Sequence, residues 1–136
     1  KQDVDSTGSV PLNIWAGAIA ANMDVGLAPL APSSFNTSKS RLKAIEMMSV
    51  GVPWVGSPRE EYRRLNRESG CGLLADTPRQ WYQMIKQLMT DDVLRKEQAE
   101  MGRAWMLEQT YQAQAHRWAQ AWEKAWRIEH PRASSQ

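Results

Sequence analysis

Asn36, Ser38, Lys39, Ser40, Lys43 and Glu46 fall within the short run "NTSKSRLKAIE". Together they offer two ammonium groups, hydroxyl and amide donors, and one carboxylate. Ammonium and hydroxyl groups suit a phosphate, and a carboxylate that accepts two hydrogen bonds at once suits a pair of sugar hydroxyls. The Lys39-Ser40 pair invites comparison with the phosphate loop of nucleotide triphosphatases. That loop needs a glycine directly before the lysine and another five residues earlier. Ser38 and Ser33 stand at those places. Neither lets the backbone wrap a phosphate closely, so that reading is rejected.

A different anion site fits the same residues. Apolar spacing predicts a helix over 38–50, with Leu42, Ile45, Met48 and Ser49 toward the core and Gly51 in the left-handed position that ends helices. A helix starting near Ser38 would present unpartnered amides and the positive end of its dipole. Ser38, the expected cap, and Ser40 would add hydroxyls, and Lys39 a charge. Lys39, Lys43 and Glu46 share one side of such a helix. Glu46 stands between Ile45 and Met47-Met48, where a carboxylate near the core needs a partner. Sugar hydroxyls would serve; an ion pair with Lys43 on a solvated face is the plainer alternative. Lys39 as surface charge is likewise open.

The rest of the chain offers little else for chemistry. His116 and His130 are far apart on a late helical stretch and read as surface residues, so no catalytic residue is assigned. One cysteine and two distant histidines give no metal-ligand spacing. Cys71, between glycines, reads as a small buried residue. The 136 residues carry a net charge of +2 without a polybasic run, which gives nucleic-acid binding no support. No apolar run reaches membrane-spanning length and no signal peptide is visible. A single cysteine suits a reduced, cytoplasmic setting. The absence of a methionine at Lys1 leaves two expectations: a natural start upstream, or a start that has been removed.

These candidate residues need elements to hold them. "PLNIWAGAIAANM" has helical spacing through Leu12, Trp15, Ile19 and Met23. "DVGLAPL" reads as a buried strand ending near Leu30. "VPWVGS" is a second strand, with Pro53 at an edge or at its first residue. "PREEYRRLNRE" is a charged helix and "GCGLLA" a third strand. "DTPRQWYQMIKQLM" opens with a capping box, Thr77 with Gln80, and Pro78 at the first helical position. Two helices follow, the second stopped by Pro131. The fold class is therefore α/β: a parallel three-stranded, partial Rossmann-like sheet with flanking helices and two C-terminal helices. Doubly wound sheets normally have five or six strands, so an open edge is expected. Tyr111, Ala115, Trp118, Trp122 and Trp126 mark one face of the last helix. Edge and Trp face together lead to the expectation of a homo-oligomer.

"DVGLAPL…FNTSKSRLKAIEMMSVGVPWVGS…GCGLLA…WYQMIKQLM" resembles the C-terminal nucleotide-sugar-binding domain of GT-B-fold glycosyltransferases, specifically the retaining group 1 family. Glu46 through Gly51-Val52-Pro53 match the family's "E-x-x-x-x-G-x-P-V-V", and Gly70-Cys71-Gly72-Leu73-Leu74 with Trp81 match its later strand and helix. The resemblance implies that residues 1–110 form part of a GT-B C-terminal Rossmann-like domain, and that residues 111–136 form its crossover helix and tail. It implies a nucleoside diphosphate sugar as substrate, no cofactor and no metal, with Glu46 on the ribose. The family's first glutamate falls at Ser38, and the "N-x-x-K-S-x-x-K" form of some relatives is met by Asn36, Lys39, Ser40 and Lys43. Those residues are assigned to the donor. The expected function is sugar transfer to an acceptor, with an N-terminal GT-B domain as the missing partner and the chain inactive alone. The alternative is a non-catalytic assembly module that binds a partner through its Trp-rich last helix.

Overall fold

The computed structural model describes residues 10–130. After a 3-10 turn at Leu12–Ile14 come α1 (Trp15–Asn22), β1 (Gly26–Ala28), α2 (Ser34–Thr37) and α3 (Leu42–Ser49). Next are β2 (Trp54–Gly56), α4 (Glu60–Ser69), β3 (Leu73–Leu74), α5 (Pro78–Thr90), α6 (Asp92–Glu108) and α7 (Tyr111–Glu129). The three strands form one parallel sheet in the order β1-β2-β3. This is a small α/β domain, roughly Rossmann-like in shape. Each strand is followed by helix, as parallel pairing requires, because the chain must cross back to start the next strand in the same direction.

Strand alternation divides the core in two. Leu27, Val55 and Leu73 stand in register on one face, and Gly26 and Trp54 on the other. On the Trp54 face, Met47, Met48, Tyr62, Leu65 and Cys71 make the larger cluster. On the Val55 face, Leu88, Trp81, Met84 and Ile85 close a smaller one. Helix α5 covers that face over β2 and β3, while Leu27 on β1 stays half-exposed.

Trp54 is the centre of the larger cluster. It is fully buried and meets Tyr62 at 5.5 Å between ring centroids, tilted by 58°. Its indole N–H has no hydrogen-bond partner among the described residues. Gly72 lies against this ring with φ of +84°, and a Cβ there would collide with Trp54 Cε2 and Cζ2. Only glycine meets both demands at once. Burial raises the Tyr62 hydroxyl above its ordinary pKa.

Several sequence expectations change in detail. The predicted helix over 38–50 starts later, at Leu42 as α3; Ser38–Arg41 form a turn, and the short helix α2 precedes the predicted span. Its inward residues are Ala44, Met47 and Met48, with Ile45 half-buried, whereas Leu42 and Ser49 are exposed. The late start at Leu42 changes which side chains the packing of α3 against α1, α6 and the sheet selects. Leu12 and Met23 are exposed too, and Ile19 and Trp15 carry the contact of α1 with the core. Strand β1 ends at Ala28 because Leu30 leaves the ladder to bond Ser57 and Arg59. Pro53 directly precedes the central strand, not an edge one, and its carbonyl accepts from Gly26 N–H. Gly51 does adopt the left-handed conformation, with φ of +74°, and the Thr77–Gln80 capping box with Pro78 forms as expected. Pro131, read as the stop of the last helix, lies outside the described residues.

Candidate functional site

The carboxyl ends of parallel strands, where helix amides and loops converge, are the natural binding edge of an α/β sheet. Here that edge is tied together by polar contacts. The buried Ser57 hydroxyl, just past β2, accepts from Leu30 N–H at 2.8 Å. Arg59 donates through Nε to the Leu30 carbonyl at 3.2 Å and through Nη2 to Asp76 Oδ1 at 3.1 Å. Asp76 follows β3, and its N–H is held by Gln80 Oε1. One serine, one arginine and one aspartate thus lock the loops after all three strands. Sequence reading missed all three residues. The signals were a polar residue directly after β2, an aspartate two residues past β3, and an arginine after Pro58.

The loop after β1 carries the residues assigned to a donor. Ser33 caps α2, accepting from Asn36 N–H at 3.1 Å, while Thr37 Oγ1 donates to the Ser33 carbonyl. Asn36 Nδ2 donates to the Ala31 carbonyl at 2.9 Å, which leaves its amide oxygen as the free end. Ser38 is not the N-cap of the long helix: it ends α2, and its hydroxyl reaches back toward the Ser34 carbonyl at 3.4 Å. Lys39 stands exposed over the Phe35 ring at 5.1 Å, an arrangement favourable to a cation.

Helix α3 starts at Leu42 with Arg41 as its N-cap residue and no side-chain cap. Its first backbone bond runs from Ile45 N–H to the Arg41 carbonyl, so the amides of its first turn lie ahead of the helix ladder. The Arg41 side chain turns the other way. It bonds Glu68 at 2.6 Å, reaches Glu61 at 3.9 Å and covers Trp105 at 5.5 Å. Arg41 therefore ties the start of α3 to α4 and α6. The Glu68 carboxyl is held below its ordinary pKa, first by its bond from Arg64 and then by Arg41.

The structure thus places Ser38, Lys39 and Ser40 in the turn between two helices, with Asn36 before it and Lys43 and Glu46 after it on α3. Lys39, Ser40 and Lys43 are exposed, and Glu46 is half-buried. Among the described residues, Lys43 and Glu46 form no ion pair with each other, so the plain pairing is not made. Cys71 is buried, and burial raises its thiol pKa against the smaller pull of the Ser69 hydroxyl. No group of three or more metal-ligating side chains occurs among the described residues, and no helix there is long and apolar enough to cross a membrane. No family model, curated protein or solved structure matches the chain.

Proposed function

We propose that this chain is the nucleotide-sugar-binding part of a GT-B-type glycosyltransferase, in which a second, N-terminal domain supplies the acceptor side. The observation that carries the reading is the Ser38–Arg41 turn. It follows β1 and α2, holds the exposed Lys39, and leads into a helix without a side-chain cap that carries the exposed Lys43 and the half-buried Glu46, which has no ion-pair partner among the described residues. In this reading Lys39, Ser40 and the α3 amides face the diphosphate, Lys43 adds charge one turn on, and Glu46 accepts from the ribose hydroxyls. Ser38 and the amide oxygen of Asn36 border the same turn. The diphosphate gains charge as it leaves the sugar, so cations fixed there favour the transition state over the ground state. The transfer would retain anomeric configuration and use no metal. The isolated chain would bind donor without turning it over.

A second reading, a non-catalytic assembly module, draws on the exposed tryptophans of α7. Calorimetric titration separates the two. A nucleoside diphosphate should bind, the matching nucleoside should bind much less, and added salt should weaken the former. Lys39→Ala with Lys43→Ala should remove the salt dependence. Equal binding of nucleoside and diphosphate, or no binding of either at millimolar ligand, would leave only the assembly reading.

A further inference from the structure

Helix α7 has α6 as its main neighbour and no buried residue along its length. At about 100° per residue, Tyr111, Ala115, Trp118, Ala119, Trp122 and Trp126 share one stripe. Tyr111 is 89% exposed, Trp118 59%, Trp122 69% and Trp126 52%. A buried aromatic hides about 150–250 Å². These four therefore leave roughly 400–650 Å² in water, against roughly 800 Å² per partner in a stable complex. The stripe supplies most of one side of an interface before its alanines and flanks are counted.

The stripe also mixes large and small residues. Its N-terminal half carries Tyr111 and Trp118 together with the small pair Ala115 and Ala119, four residues apart. Its C-terminal half carries the large pair Trp122 and Trp126, at the same spacing. An open apolar groove of about 330 Å³ lies over Tyr111, Ala115, Trp118 and Trp122. A helix run antiparallel along such a stripe, centred between Gln120 and Ala121, meets small with large at two levels, Ala119 with Trp122 and Ala115 with Trp126.

We infer that two copies of this chain pair through α7, antiparallel, about a two-fold axis beside Gln120 and Ala121. Trp122 of each copy then seats at Ala119 of the other, and Trp126 at Ala115. The interface is isologous, so each copy supplies both the tryptophans and the alanines they meet. The same pairing sets Glu123 of each copy level with Trp118 of the other, and His116 level with Ala125. Arg117 and Lys124, which would meet at one level as like charges, lie on the far side of the helix from the stripe. The inference does not depend on the donor reading.

Sedimentation of the 136-residue chain across a concentration series tests it. A dimer at low micromolar concentration is expected. Trp122→Ala and Trp126→Gln should each weaken it roughly 30-fold or more, the scale of an interface hot spot. Ala115→Trp is the discriminating variant. It fills the notch and should also weaken the dimer, whereas on a merely sticky face a further tryptophan would strengthen association. Circular dichroism confirms that each variant stays folded, which is expected because α7 adds no residue to the buried core. A wild-type chain that stays monomeric at high micromolar concentration overturns the inference and leaves the stripe to another protein. Tighter association of Ala115→Trp overturns it too.

Discussion

Gly72→Ala should be among the most damaging single changes in the domain. The residue holds φ of +84°, where a side chain other than glycine costs about 1–2 kcal/mol. The added methyl would also strike the buried Trp54 ring, and forcing such a group into a packed core costs about 1–3 kcal/mol. The sum, about 2–5 kcal/mol, is a large part of the net stability of a small domain. The two causes can be separated. Trp54→Phe removes the atoms that the methyl would strike, Cε2, Cζ2 and Nε1. Alone it costs lost packing, partly offset by removal of an indole N–H that has no partner. Combined with Gly72→Ala it should relieve the collision but not the backbone strain. The double variant should thus be about 1–3 kcal/mol more stable than the sum of the single effects predicts. Urea unfolding followed by circular dichroism measures all four proteins. If Gly72→Ala lies within 1 kcal/mol of wild type, or the two changes add without coupling, the account of the Trp54 core is wrong.

Ser57→Ala strands the Leu30 amide in a part-buried position and should cost about 1–3 kcal/mol, with amide exchange of the loop after β1 accelerating more than that of α5. The Glu68 carboxyl is depressed by Arg64 and Arg41, so the stability it contributes is complete above the ordinary carboxylate pKa. That contribution is lost as pH falls through the lower folded-state value. Glu68→Gln should flatten this part of the acid limb in urea titrations at successive pH values, and an unchanged limb would count against the Arg41–Glu68–Arg64 link. Cys71 is buried with its thiol pKa raised, so a thiol reagent should modify it only as fast as the domain opens, and immediate labelling of the folded chain would contradict its burial.

How much of this was legible in the sequence follows from where each signal lives. The Thr77-Pro78-Gln80 start of α5 and the left-handed Gly51 are local, set by residues three or four apart, and both were readable. The alternation of strands and helices was equally plain, because apolar runs bounded by glycine and proline survive any packing detail. The break at Ser38–Arg41 was not readable. Arg41 leaves the helical run to reach Glu61, Glu68 and Trp105, partners 20 or more residues away that spacing cannot announce. The Ser57–Arg59–Asp76 lock is hidden for the same reason, since the strand ends it joins become neighbours only once the sheet forms. The six residues proposed to bind a donor lie close together in sequence. Their division between a turn and a separate helix depended on that tertiary pull.

The donor reading stands or falls most directly on an amide NMR titration of the isotope-labelled chain with a nucleoside diphosphate. Shifts should concentrate on the α2–α3 turn and the first turns of α3, from Asn36 to Met47. Glu46→Gln should weaken binding by about 1.5–3 kcal/mol, the value of a charged hydrogen-bond acceptor. Shifts confined to α7, or equal affinity in Glu46→Gln, would contradict it.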